Sequence, residues 1–350
     1  MGKQSSKSVL VLHEGIGAGA RPDELDTLVE VEQVSDALSA LGWQVQRQAT
    51  GLDLGSTLAA IKDCNPACVF NLVESLGGDG RMLHFIPSLL DVAQLDYTGC
   101  NSDAMYLSSQ KQLAKHWMRL NGISTPVSLD MDGDPHTDED DHRTWIVKSL
   151  WEHASFGMDD GCVVRGTDNA RSRMAQSQAR YGGEWFAEEF VGGREFNISI
   201  LDLDGQPRVL PIAEITFVDY PRNKPKIVGY AAKWDEQAPE YNATRRGFPS
   251  LPRPERDRLE ALVQKCWAVF GLEGYARVDI RLDSSGRPYV LEINANPCLS
   301  RDAGFTAAAA EGGISYLELI GHIMQSALTP AMITPRSAER QDLISRTGGR

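Results

Sequence analysis

Near the C-terminal end the stretch 275–300 reads YARVDIRLDSSGRPYVLEINANPCLS, and it spaces Arg277, Asp279, Glu292 and Asn294 in a way that suits metal-assisted chemistry. Two alternating apolar runs, 277–282 and 289–294, flank a Ser-Ser-Gly turn signal, a pattern that predicts a β-hairpin. A period of two sends Arg277 and Asp279 to one face of the first strand, and Glu292 and Asn294 to one face of the second. A turn centred between Ser285 and Gly286 then sets Asp279 opposite Glu292 and Arg277 opposite Asn294. Two carboxylates directly across a ladder repel each other. A hard divalent cation held by oxygen ligands relieves that repulsion. Asn294 adds a neutral oxygen, and Arg277 a fixed cation beside the metal. The competing reading is a surface hairpin with solvated charges, but Val290, Leu291 and Ile293 favour a buried strand.

The chain that must position these groups has 350 residues, enough for two or three lobes with cores of their own. Forty-two per cent hydrophobic and 24 per cent charged residues are ordinary for a soluble globular protein. A net charge of −13 argues against nucleic acid or an anionic membrane as the main partner. No apolar run approaches the roughly 20 residues of a membrane helix, and no apolar signal core opens the chain. The opening MGKQSS fits the permissive N-myristoylation pattern, although a plain flexible tail explains it better. Cys64, Cys68, Cys100, Cys162, Cys266 and Cys298 form no CxxC pair, which disfavours zinc and suits reduced thiols in a cytoplasmic protein.

From the N-terminus, an apolar strand at 8–14 runs into Gly15, Gly17 and Gly19, a βα turn without the GxGxxG spacing. Helical period over 23–41, a strand at 43–48, a helix near 54–63 and a buried strand at 68–73 predict a small parallel sheet. The loop NLVESLGGDG leaves that third strand at its carboxyl end, where α/β sheets bind ligands, so Glu74 is placed to touch a substrate. A solvated loop glutamate is the equal alternative. A helix at 82–94 and a short strand at 96–99 follow. Next come a helix at 109–121 with Lys111, an exposed loop at 130–142, and a strand at 144–149 with Lys148. A Gly-bearing loop, WEHASFGMDDG, comes after it and could fold over phosphates. Strands at 185–191, 194–201 and 211–217 lead to a long polar stretch, 219–250, with no period, then a helix at 254–270. Such a stretch in a compact protein is functional or mobile. Helices at 307–311 and 315–328 close the core, and the last twenty or so residues form a loose tail.

The spacing R-x-D, then E-x-N followed by Pro297, resembles the signature of ATP-grasp ligases, most closely the D-alanine–D-alanine ligase family. The resemblance covers roughly residues 68–325 and continues through the YTG at 97–99. It implies an α/β ATP-grasp fold with an N-terminal Rossmann-like parallel-sheet lobe. The expected divisions are a substrate lobe at 1–99, a central ATP-grasp lobe at 100–184, a C-terminal ATP-grasp lobe with the metal hairpin at 185–330, and a tail at 331–350. Lys111 and Lys148 stand where the family places the pair that grips ATP phosphates. The hinge Glu188, Glu189, Phe190 and Val191 would hold adenine, with Leu291 beside the nucleotide, and Glu195 would accept the ribose hydroxyls. Ser155 and Gly157 match the phosphate-covering loop. Lys233 matches a lysine on the loop that closes over the acyl-phosphate. Magnesium, with manganese as the alternative, would sit on Asp279, Glu292 and Asn294, and relatives commonly form homodimers.

The resemblance therefore implies that ATP phosphorylates a carboxylate and an amine then attacks the acyl-phosphate, giving an amide, ADP and phosphate. Arg277 would stabilise the tetrahedral oxyanion, and Glu74 is the candidate base. The features that select D-alanine differ. Ala154 replaces a serine of the family's hydrogen-bonded triad and Trp234 its tyrosine. Glu74 stands near a substrate-loop histidine, Cys298 replaces a glycine, and Ala303 replaces a carboxylate-binding serine. The expected substrates are thus other amino acids or small peptides. A true D-alanine–D-alanine ligase, a kinase-like phosphotransferase and a non-catalytic nucleotide-binding module are the alternatives.

Overall fold

The period-two and period-3.6 segments assemble around three sheets. In the computed structural model, residues 7–17, 20–129, 142–220 and 224–329 are described. The MGKQSS opening, nearly all of the 130–142 loop and the 331–350 tail lie outside them. The first lobe runs β1 (Ser8–Glu14), α1 (Pro22–Ala40), β2 (Gln44–Thr50), α2 (Leu54–Cys64), β3 (Cys68–Asn71) and α3 (Phe85–Val92). Its parallel sheet has the order β2-β1-β3. The central strand is covered on both faces, which is why Val9–Leu12 is continuously apolar rather than alternating. The expected 96–99 strand reduces to a single bridge between Val69 and Tyr97, and a 3-10 turn at Gly80–Met82 shortens the expected 82–94 helix.

The next segment adds α4 (Ser102–Ser109), α5 (Lys111–Leu120), β4 (Ser128–Leu129), β5 (Thr144–Ser149), β6 (Val163–Arg165), α6 (Thr167–Tyr181) and β7 (Trp185–Glu189). The four strands form a sheet in the order β4-β7-β5-β6. The expected lobe boundary at 185 is therefore corrected. β7 lies inside the central sheet, paired on both sides, and the chain changes lobe at the Gly192–Gly193 turn.

The third sheet is built from β8 (Glu195–Leu203), β9 (Gln206–Val209), β10 (Ala213–Phe217), β11 (Thr244–Gly247), β12 (Tyr275–Leu282) and β13 (Pro288–Asn294), with the order β11-β10-β8-β12-β13 and β9 on β8. Around it lie α7 (Tyr230–Trp234), α8 (Pro239–Ala243), α9 (Arg253–Phe270), α10 (Gly304–Glu311) and α11 (Tyr316–Leu328). The 219–250 stretch is thus not structureless. It carries two short helices and a strand, too brief to leave a period in sequence and held by tertiary contacts.

One face of the large sheet buries Phe196, Ile198, Ile200, Val278, Ile280, Val290 and Ile293 against α4, α5 and α9. The other face carries the charged set. Helices α10 and α11 reach back to the first lobe, where Phe305, Leu319, Ile320 and Ile323 join Val31, Val34, Leu38 and Phe70 in one core. That packing fixes the edge of the first sheet over the charged face of the third. No helix among the described residues is long and apolar enough to cross a membrane.

Candidate active site

The hairpin has the expected register at its functional end, with Arg277 opposite Asn294 and Asp279 opposite Glu292. Beyond Asp279 the ladder slips by one, so that Ile280 faces Val290 and Leu291 is the extra residue of a β-bulge. The slip explains how Val290 and Ile293, three apart, both point into the core while Glu292 faces the cavity. It also frees the Leu291 carbonyl, which accepts from Lys115 Nζ at 3.0 Å.

Arg277 holds Asp279 bidentately, Nε to Oδ1 at 2.8 Å and Nη2 to Oδ2 at 3.0 Å. Burial pushes the Asp279 carboxyl up and Glu292 adds to that, against the lowering by Arg277. Burial also opposes ionisation of Glu292, but Lys111, His153, Lys148 and Arg277 outweigh it and hold this carboxyl well below its ordinary range. The next residue on the same face, Arg281, donates to Glu195 Oε2 through Nη2 at 2.6 Å and Nε at 2.9 Å. Glu195 Oε1 has no partner among the described residues.

Three lysines approach from the central lobe. Lys111 Nζ donates to the Glu152 carbonyl at 2.7 Å. Lys148 pairs with Glu188 Oε1 at 2.6 Å, and Lys115 pairs with the other oxygen, Glu188 Oε2. Burial opposes charge on all three groups of this cluster. Glu188 and Glu292 outweigh it at Lys148, whose pKa rises, and the two lysines outweigh it at Glu188, whose pKa falls. Lys115, the deepest, is pulled down by burial despite its partner. The hinge expectation is corrected at Glu188. Its backbone lies between β4 and β5 and its side chain is a buried counter-ion for Lys115 and Lys148. The Glu189 and Phe190 amides donate to Val127 and Thr144 carbonyls, which leaves the Val191 amide as the hinge donor without a partner among the described residues.

The loop after β5 and the segment around α7 close over these groups and are stitched together. Ser155 Oγ donates to the Val228 carbonyl at 2.7 Å, the Tyr230 amide to the Met158 carbonyl at 3.0 Å, and Trp234 Nε1 to the Ala154 carbonyl at 3.2 Å. Gly157, at φ +66°, lets the loop pass over Trp185, where any Cβ would collide with the indole. Lys233 leaves α7 toward the hairpin. Burial lowers its pKa first, then Arg277, against Glu292 and Asp279.

The first lobe contributes carboxylates. Glu14 ends β1, and its Oε2 accepts from the Glu74 amide at 2.9 Å. Glu30 accepts from the Leu299 amide at 2.6 Å, and Cys298 Sγ donates to Asp26 at 3.5 Å. Burial, then Glu14 and Asp26, push the Glu74 carboxyl up to about 8, against Arg277 and Lys233.

One cavity of about 570 Å³ gathers most of the expected residues. Lys111, Lys148, Lys233, Arg277, Asp279 and Glu292 line it, with Ser155, Glu188, Glu189, Phe190, Val191, Glu195 and Leu291. Glu74 and Asn294 do not. They border a smaller adjoining pocket, and His153 lines both spaces. Asn294 Oδ1 accepts from the Asn296 amide at 3.0 Å. Among the described residues no group of three or more His, Cys, Asp or Glu is placed to hold a metal.

This architecture has known counterparts. Residues 144–325 match the family model described as D-ala D-ala ligase C-terminus, just over half of the chain. The chain is 30% identical over 259 residues, 74% of each protein, to the uncharacterized protein y4sG of Sinorhizobium fredii. The chain belongs to the D-alanine–D-alanine ligase family of ATP-grasp enzymes. It is 27% identical to a D-alanine–D-alanine ligase of Bordetella pertussis, with 94% of this chain and 98% of that one covered. The fold also matches the crystal structure of the Bacillus anthracis D-alanine–D-alanine ligase complexed with ATP, at a TM-score of 0.70 and 21% identity over 92% of this chain and 97% of that one.

For this ATP-grasp ligase, sequence reasoning missed Lys115, His153, Arg246 and Arg281. Lys115 is four residues beyond Lys111 on one helix face, and Arg281 continues the alternation of Arg277 and Asp279, so both signals were present. His153 and Arg246 sit in loop and edge segments without a period. His153 Nδ1 is buried with no partner among the described residues. Burial, then Lys111, holds its pKa down at about 4, so the imidazole is neutral at pH 7.

Proposed function

We propose that the chain joins a carboxylate to an amine, both carried by amino acids or small peptides, through an acyl-phosphate, with a preference other than D-alanyl-D-alanine. The observation that carries this reading is the convergence of Lys111, Lys148, Lys233 and Arg277 on the opposed carboxylates Asp279 and Glu292 inside one cavity. A cation cradle of this kind suits a polyphosphate. A pair of hard carboxylate oxygens, one of which is pushed up partly by the other, suits a divalent cation such as magnesium or manganese. ATP would supply the phosphoryl group that activates the donor carboxylate, and the cation would draw charge from it.

The protein's own groups then divide the work. The three lysines orient phosphate oxygens, and Asp279 and Glu292 hold the cation, with Asn294 bordering from the adjoining pocket. Phe190, Val191 and Leu291 make apolar walls for the base, and Glu195 Oε1 is left for a sugar hydroxyl. Arg277, fixed by its fork on Asp279, faces charge that develops when the amine attacks. Ser155 holds the loop that shuts out water, which would otherwise hydrolyse the activated carboxylate. Asp26, Glu30 and Glu74 surround the first-lobe end with carboxylates, which favours substrates bearing ammonium groups, and Glu74 remains the candidate proton acceptor.

The triad positions support a specificity of its own. Neither Ala154 nor Trp234 carries the hydroxyl expected there, and the indole instead bonds the Ala154 backbone. The test is hydroxylamine trapping. With ATP, magnesium and a donor amino acid, a hydroxamate should accumulate, and Arg277→Ala should slow amide formation by about 10²–10³-fold, the cost of one lost oxyanion donor. ATP consumption with no hydroxamate from any donor would sink the acyl-phosphate reading and favour a phosphotransferase.

A further inference from the structure

We infer that Arg246 grips the carboxylate of the amine-bearing substrate, so that this substrate is an amino acid, or a peptide whose free carboxylate lies near its nucleophilic nitrogen. The inference rests on the ligase reading above. Arg246 lies on the edge strand β11 opposite Ile215, which in turn faces Glu195, so alternation puts it on the same sheet face as the cavity residues. It lines the cavity at the end away from the hinge, with Asp302, Ala303 and Gly304.

Its guanidinium is held in place but not neutralised. Nη2 donates to the Asp302 carbonyl at 2.8 Å, and Nη1 lies 3.4 Å from where a Cβ on Gly304 would stand. The other two arginines of this face are matched by carboxylates, Arg277 by Asp279 and Arg281 by Glu195. Among the described residues Arg246 has no carboxylate within ion-pair distance. Partial burial disfavours its charge most, the Asp302 carboxylate favours it, and Arg277 disfavours it to a lesser degree. The guanidinium remains open to solvent on the cavity side. Beside it Ala303, the N-cap of α10, offers no side-chain cap, and there is no acid in the helix's first turn. The Arg246 guanidinium therefore keeps donors for an anion, with Asp302 beside it outside ion-pair distance.

Reaction chemistry selects the anion. Phosphates belong at the lysine end. The donor carboxylate loses its charge as one of its oxygens bonds to phosphorus, and that oxygen later leaves with phosphate. With a donor that has one carboxyl group, the substrate carboxylate that stays anionic throughout is the one carried by the attacking amine. A planar fork anchored by one nitrogen on a backbone carbonyl, with the rest facing the cavity, fits it. Ala303 stands where the family resemblance places a carboxylate-binding serine, and Arg246 supplies donors to the same spot from the neighbouring strand.

The experiment is the acceptor KM from ADP release, with each active acceptor amino acid offered as the free acid and as its primary amide. The wild-type chain should prefer the acid. Arg246→Ala should raise the KM for the acid about ten- to hundredfold, the loss of a charge-assisted hydrogen bond, with the effect on KM rather than kcat and little change for the amide. Arg246→Lys should keep part of the preference, and unchanged thermal unfolding would confirm that both variants fold. Acid-over-amide discrimination that survives Arg246→Ala overturns this inference alone. ADP release with a carboxylate substrate and no amine present overturns the ligase reading, and this inference with it.

Discussion

Glu188 is 1% exposed and shares its two oxygens between Lys115 and Lys148. Taking one ammonium from such a cluster strands charge in a low-dielectric site. Lys115→Met should therefore lower unfolding stability by about 3 kcal/mol, the low end for a broken buried pair because Lys148 still offsets the carboxylate. Denaturant unfolding checks this, and a loss below about 1 kcal/mol would count against it. Glu74 gives a pH signature. Its carboxyl is raised from 4.5 to about 8 by burial, Glu14 on β1 and Asp26 on α1, with Arg277 on β12 and Lys233 on α7 opposing. Between those two values the unfolded chain releases a proton that the folded chain keeps, so stability falls as pH rises through that window. Glu74→Gln should flatten the fall in Tm between about pH 5 and pH 8, and an identical slope in the variant would refute the assignment.

At the scale of elements, three bonds tie the loop after β5 to the segment around α7, and the Trp234–Ala154 bond takes the place of a hydroxyl link. Trp234→Phe removes that bond while keeping an aromatic ring. It should raise wasteful ATP hydrolysis relative to amide formation by roughly two- to tenfold, the worth of one hydrogen bond. Equal ratios of ADP to amide in both proteins would show that the bond plays no part in closure. The hairpin was legible because a Ser-Ser-Gly turn signal separates two apolar runs whose functional ends, Arg277–Asp279 and Glu292–Asn294, keep the period of two. The bulge at Leu291 was not, since an extra residue leaves no mark in composition. Helix α6 escaped because the face it buries, Thr167, Ala170, Met174 and Ser177, is mostly small or polar. Helices α4 and α5 read as one start because Gln110 both ends the first and caps the second. The role of Glu188 depends on partners 73 and 40 residues away along the chain, Lys115 and Lys148, and no local pattern encodes such pairs.

For the whole molecule, the central and third sheets and α1 of the first lobe border one cavity, and the returning helices α10 and α11 lock the first lobe against the third. The hinge side supplies apolar walls, the middle supplies cations and the paired carboxylates, and the far end supplies acids from the first lobe and Arg246 from the third. That gradient matches a nucleotide, a reacting carboxylate and an amine in sequence. The central claim is that two organic substrates meet there. It is tested most directly by ADP release with ATP and magnesium across a panel of amino acids, singly and in pairs, with D-alanine included. A signal that requires two different amino acids, and is lost in Glu292→Ala, is the result expected. A signal as strong with D-alanine alone would contradict the specificity argued from Ala154, Trp234 and Ala303, and a signal complete with one substrate and no amine would contradict the ligase itself.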